Sequence, residues 1–254
     1  MKRERSFGGG CEVKILVCGK GGCGKSFVSS LIAKELVKRG KRVLVVDIDE
    51  SNFGIYRNFG VEQPRDFMEF LGGKEEVRER LLGFIRGGGG RLKLFDELTI
   101  EKLPEDYIVS KNGIRIMAVG KIHDFGEGCA CPMGAVARNF LEALRLKEKE
   151  FVVVDTDAGI EHFGRGVEAG CDVIVVVVEP SYESMKLAEK IVDLSRKIGK
   201  KVVVVANKVD DETERIIKAD VHLPFKKEIF EACLKGEEIP HVKEAEAIVN
   251  AILD

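Results

Sequence analysis

Strand-length apolar runs alternate with helix-length amphipathic runs along almost the whole chain. Residues 14–18, 43–46, 114–119, 151–154, 173–178, 202–206 and 221–223 are rich in Val and Ile with little polar alternation. That is the pattern of strands covered on both faces of a parallel sheet. Residues 25–39, 133–146, 161–169, 182–198, 211–218, 227–234 and 241–252 read as helices between and after them. In the first helix Val28, Leu31, Ile32 and Leu36 form an apolar stripe that Glu35 interrupts. Gly40 follows it, a residue suited to a left-handed helix cap. The alternation predicts an α/β fold in three layers, with a mostly parallel central sheet.

Residues 60–112 break the rhythm. Short helices are expected at 67–71 and 75–85, and four successive glycines, Gly87 to Gly90, cannot continue a helix at reasonable cost. This stretch reads as an insertion covering the core of one domain spanning 13–254, with residues 1–12 as a flexible arm. No internal repeat is visible.

Composition narrows the function classes. With 41 Lys and Arg against 43 Asp and Glu, the net charge is -2 and the basic residues are interleaved with acidic ones. That balance argues against a general nucleic-acid partner. The apolar runs are too short to cross a membrane, and no apolar stretch backs the basic N-terminus as a secretion signal requires. The seven cysteines do not form a disulfide framework, so the cytoplasm is the expected setting. Cys18, Cys171 and Cys233 read as small buried hydrophobes.

Between the first strand and first helix lies Gly19-Lys20-Gly21-Gly22-Cys23-Gly24-Lys25-Ser26, followed by Phe27. Glycines let a loop wrap closely, so its amides point at phosphate oxygens, and the following helix adds its positive end. Lys25 is placed for the β and γ phosphates and the Ser26 hydroxyl for magnesium. Asp155 ends a strand facing the same side and suits the magnesium through water. Asp47 and Asp49 follow another strand; Asp47 is expected to support magnesium and Asp49 to orient the attacking water.

The glycine-rich motif resembles the deviant Walker A motif of the MinD/ParA/nitrogenase-iron-protein class of P-loop ATPases. In that class the early lysine, here Lys20, reaches across a homodimer to the partner's nucleotide. Asp47-Ile48-Asp49 with Asn52 resembles its first switch, and Asp155-Thr156-Asp157-Ala158-Gly159 its second. A closer similarity is to the carbon-monoxide dehydrogenase maturation ATPases, the CooC family. It rests on Gly128-Cys129-Ala130-Cys131-Pro132, on the run from Asp155 to Gly166, and on Val178-Glu179-Pro180-Ser181. The resemblance implies an ATP-dependent nickel-insertion protein with apo carbon-monoxide dehydrogenase as client. It also implies that the Cys-x-Cys pairs of two subunits share one metal.

Chemistry agrees with that arrangement. Tetrahedral zinc or square-planar nickel wants four ligands, and one Cys129–Cys131 pair supplies two. Twofold symmetry supplies the rest. The helix beginning beside the pair would lower the thiol pKa values, and His123 and Asp124 are reserve ligands. His162 is expected to be structural.

Asn207-Lys208-Val209-Asp210 has the Asn-Lys-x-Asp form that reads guanine in GTP-binding proteins. Asn207 could reach a base edge, Lys208 could cover its face, and Pro224 could pack nearby. ATP is nevertheless expected, because Lys20 belongs to an ATP-dependent class and Asp210 and Asp211 serve equally as helix caps. The competing readings are a MinD/ParA-like positioning ATPase, an iron–sulfur cluster carrier and a GTP-dependent maturation factor.

Overall fold

The computed structural model describes residues 12–52, 54–87, 93–122 and 131–254. Eight strands among them form one sheet: β1 (Val13–Gly19), β2 (Arg42–Asp47), β3 (Val109–Lys111), β4 (Ile114–Ala118), β5 (Glu150–Asp155), β6 (Val173–Val178), β7 (Lys201–Val209) and β8 (Val221–Pro224). Their order is β3-β4-β2-β5-β1-β6-β7-β8. Every pair is parallel except β3–β4. The helices are α1 (Lys25–Lys38), α2 (Ile55–Asn58), α3 (Phe67–Phe70), α4 (Gly73–Arg86), α5 (Cys131–Ala143), α6 (Glu161–Arg165), α7 (Tyr182–Lys197), α8 (Asp211–Ile216), α9 (Lys227–Lys235) and α10 (Ala245–Leu253).

Successive strand residues point to opposite faces, and both faces are apolar, which is why the strands read as unbroken runs. Leu16, Leu44, Val152 and Ile174 pack beneath α5 and α7, through Val136, Phe140 and Ile191. Ile15, Val17, Val45 and Val153 pack on the other side against Val28, Leu31 and Leu36 of α1 and Ile248 and Ile252 of α10. Gly40 closes α1 at φ 73, with its amide on the Val37 carbonyl and the Lys41 amide on that of Leu36. Glu35, the break in the apolar stripe, is 2% exposed; it accepts from Arg39 Nε at 2.8 Å and meets His241 Nε2 at 3.3 Å.

Three features depart from the sequence reading. Strand β3 was not expected. It folds back on β4 through Asn112 at φ 50 and Gly113 at φ 82, a tight hairpin turn that needs two left-handed residues. The region 60–112 contributes more than a cover, since Phe67 lies within 5.4–6.2 Å of the rings of Phe70, Phe95, Tyr107 and Phe140. It thus builds part of the core over α5. Finally, β7 runs three residues past the expected end, with a bulge between Asn207 and Val209 and Lys208 at φ 60.

Lys14 of β1 anchors α5 from below. Its ammonium donates to the carbonyls of Leu141 at 2.5 Å and Leu144 at 2.7 Å, where a helix end needs donors. Burial lowers its pKa, with Cys171 and Asp172 pulling the other way.

Candidate nucleotide site and its switch loops

Parallel pairing places the ends of β1, β2 and β5 side by side, with Asp47 opposite Asp155. The glycine-rich loop rises from β1 at this edge. A Cβ on Gly19 would lie 2.3 Å from the Val177 carbonyl oxygen, and one on Gly24 would lie 2.2 Å from the Asn207 side-chain nitrogen. Only glycine fits at either place. Gly24 starts α1 at φ 97 with no side chain capping the helix, so the first-turn amides are left for a ligand. A cavity of about 270 Å³ opens there, lined by Gly22, Gly24, Lys25, Ser26, Phe27, Asn52 and Asn58 and extending to Arg57, Cys233 and Gly236. The loop and cavity fit a polyphosphate.

Lys25 is 7% exposed, and its ammonium reaches only the Lys20 carbonyl, at 3.4 Å. Its charge is thus held at the loop with no ion pair among the described residues. Ser26 Oγ donates to Asp155 Oδ2 at 2.6 Å and Ser29 Oγ to Asp155 Oδ1 at 2.8 Å. Burial, then the neighbouring Asp47, pushes the Asp155 carboxyl up to about 7. The Ser26 hydroxyl and the adjoining carboxylate are hard oxygen ligands suited to magnesium, and the Asn52 side-chain nitrogen donates to Ser26 Oγ at 3.3 Å.

Asp47 Oδ2 accepts from Tyr56 OH at 2.5 Å and pairs with Lys121 Nζ at 2.6 Å, while its Oδ1 accepts the Asp49 amide at 3.0 Å. These contacts hold the carboxylate at the root of the 49–52 turn. Burial raises its pKa against the pull of Lys121. Lys121, fully buried, also donates to the backbone carbonyls of Asp49 and Asn52 and so ties down the whole 49–52 turn. Asp49 Oδ1 accepts from Ser51 N at 3.0 Å, Ser51 Oγ at 2.9 Å and Asn52 N at 3.1 Å, organising the same turn.

The segment expected to read the base braces the phosphate loop. Asn207 Nδ2 donates to the Cys23 carbonyl at 2.8 Å, and Lys208 Nζ to the Gly22 carbonyl at 2.6 Å. Lys208 also pairs with Glu179 at 3.0 Å, and the same carboxylate lies 3.9 Å from Lys20. Asp210 caps α8, its Oδ1 accepting from Thr213 N at 2.9 Å and Glu212 N at 3.2 Å. Pro224 ends β8, is exposed, and is not among the residues lining the cavity. Cys23 turns its thiol into the core, where burial raises it to about 11, so only its backbone faces the loop. Gly21 is exposed beside Ala158.

Cys18 and Cys171 are buried as expected, but Cys233 is exposed, at the far end of the same cavity. Cys129, His123 and Asp124 lie outside the described residues, and Cys131 is described as the first residue of α5. Among the described residues no group of three or more metal-ligating side chains is present. Nor is any helix among them long and apolar enough to cross a membrane.

His162 is completely buried, neither ring nitrogen has a hydrogen-bond partner among the described residues, and the ring rests 4.8 Å from that of Phe163. Burial, then Arg165 and Lys25, holds its pKa down to about 3. The native state therefore refuses a proton that the unfolded chain accepts below about 6.5. Stability from this residue is full above that pH and is lost as pH falls toward 3. Urea unfolding at pH 7 and 5 should show His162→Leu losing about 2 kcal/mol less than the wild type over that interval. Comparing the two proteins cancels the opposite slope from Asp155.

Residues 14–244 match the CobQ/CobB/MinD/ParA nucleotide binding domain. An uncharacterized ATP-binding protein of Methanocaldococcus jannaschii is 51% identical over 235 residues, covering 89% of this chain and 94% of its own. The carbon monoxide dehydrogenase accessory protein CooC of Rhodospirillum rubrum is 34% identical over 199 residues, covering 78% of this chain and 74% of its own. Among solved structures, the septum site-determining protein MinD of Pyrococcus horikoshii, complexed with Mg-ADP, superposes with a TM-score of 0.66. It is 17% identical, with 95% of this chain and 94% of that one covered, a likeness of fold alone.

Proposed function

This chain belongs to the CobQ/CobB/MinD/ParA family of nucleotide-binding ATPases, and from that premise we propose that it is an ATP-dependent nickel metallochaperone for carbon-monoxide dehydrogenase. The observation that carries the reading is a backbone connection. The stretch leading toward the cysteine pair runs along the first switch loop: Val119 N donates to the Asp47 carbonyl at 2.9 Å and Ile122 N to that of Glu50 at 3.0 Å. A change in the loop beside the phosphates would therefore act on Val119 and Ile122, which precede the cysteine pair in the chain.

In the proposed cycle Lys25 and the α1 amides hold the phosphates, and Lys20 leaves Glu179 to cross a homodimer interface. Ser26 and Asp155 would hold magnesium, which neutralises phosphate charge when bound. Asp49 gives up part of its turn to orient water. Closure of the dimer brings two Cys129–Cys131 pairs around one nickel as cargo, and opening after hydrolysis releases it to the client.

Two observations favour this reading over its rivals. Ile248, Val249 and Ile252 of α10 are buried against α1, so that helix does not offer a free apolar face to a membrane, as a positioning ATPase would need. Asp210 is occupied in its cap, which favours adenine over guanine. The test is metal content of anaerobically purified protein beside Cys129→Ser/Cys131→Ser, with sizing in ATP and without nucleotide. One nickel or zinc per dimer, lost in the double variant, is expected. Iron with sulfide would move the function to a cluster carrier, and no thiol-dependent metal in any nucleotide state would refute the chaperone.

A further inference from the structure

We propose that Arg165 is the positioning residue through which both switch loops act on the first turn of α5. Three contacts converge on it. Its Nη1 donates to Asp157 Oδ2 at 3.2 Å, two residues beyond the magnesium-side Asp155. Its Nη2 lies 3.6 Å from Glu50 Oε1, next to Asp49. Its aliphatic stem lies flat on α5 at Gly134: a Cβ there would sit 2.4 Å from Cδ and 3.1 Å from Cγ of Arg165. One guanidinium thus takes a carboxylate from each loop while its stem rests on the helix that begins at Cys131.

The contacts have the makings of a two-position element. The three side chains are largely withdrawn from water, at 24% exposure for Arg165, 10% for Glu50 and 13% for Asp157, so their attraction is only partly screened. Among the described residues Glu50 Oε2 is buried without a hydrogen-bond partner, and Oε1 stands beyond hydrogen-bond range of the guanidinium. A small advance of the 49–52 turn onto Arg165 converts that loose pair into a charge-assisted hydrogen bond and satisfies a half-paired carboxylate. Arg165 cannot follow without dragging its stem across Gly134. The first turn of α5 must then move, because a close-packed contact has no slack.

The inference rests on the proposed function only where it gives the α5 movement a purpose at Cys131. It is tested without metal, by amide hydrogen exchange of residues 134–138 in the intact protein with ADP and with a non-hydrolysable ATP analogue. In the wild type, exchange there should differ about 5-fold between the two nucleotides, a coupling of about 1 kcal/mol. Arg165→Met should reduce the difference below about 2-fold, with affinity for the analogue held within about 3-fold of wild type. Should that variant fold poorly, Glu50→Gln and Gly134→Ala carry the test: the first removes one anchor, and the second dislodges the stem while leaving every charge in place. Arg165→Lys should restore only part of the response, because an ammonium cannot engage both carboxylates in a planar fork.

Equal exchange in the two nucleotides of the wild type would overturn the proposal. So would a full response in Arg165→Met or Gly134→Ala. A normal α5 response in protein that binds no metal would instead defeat the metallochaperone and leave Arg165 in its role.

Discussion

Lys121→Met is expected to destabilise the protein by about 3–5 kcal/mol, the cost of leaving a buried charge without its partner. Lys121 and Asp47 are both fully withdrawn from solvent and 2.6 Å apart. The ammonium also satisfies the carbonyls of Asp49 and Asn52, so its loss takes a donor from both of them as well as the counter-charge from Asp47. For a chain of this length the loss corresponds to a fall in Tm of roughly 6–20 °C. Asp47→Asn/Lys121→Met should recover a large part of it, because the stranded charge is gone. Thermal unfolding of both variants checks the account, and a fall of less than about 2 °C in the single variant would contradict it.

Lys25→Ala is expected to lower kcat for ATP hydrolysis by about 100- to 1,000-fold, the scale on which one preorganised charge at a reacting oxygen acts. Lys25 is buried at the base of the loop, with a single long hydrogen bond among the described residues, to the Lys20 carbonyl. Its charge is therefore available to phosphate without first breaking an ion pair. Phosphate release at saturating ATP is the measurement. A loss smaller than about 10-fold would mean that other groups carry the charge stabilisation.

Much of this architecture is written locally in the chain. The Val-rich runs find every parallel strand because doubly covered strands cannot tolerate alternation. The glycine-rich loop is equally legible, since Gly19 and Gly24 stand where any Cβ would collide. Strand β3 also has a local signature: Asn112-Gly113 is the strongest short hairpin signal, set inside an otherwise irregular region. Other features have no local signature. Lys121 acts on Asp47 and on carbonyls more than sixty residues away, and carbonyls leave no trace in a residue pattern. Asn207 and Lys208 carry a familiar spacing, but a bulged, left-handed Lys208 turns both side chains onto the carbonyls of the phosphate loop. Spacing supplied the neighbourhood there but gave no sign of these loop contacts. Arg165 likewise looks like one more basic residue in a helix until Gly134, Glu50 and Asp157 are brought around it.

The central claim is that nucleotide state sets metal affinity, and equal affinities would shift nothing. The most direct measurement is the nickel dissociation constant of anaerobic protein with magnesium and either ADP or a non-hydrolysable ATP analogue. The account predicts one nickel per two chains, bound at least about 10-fold more tightly in the ATP-analogue form, with the preference abolished by Cys129→Ser/Cys131→Ser. Identical constants in the two forms would contradict it, leaving an ATPase whose cycle is spent on something other than metal.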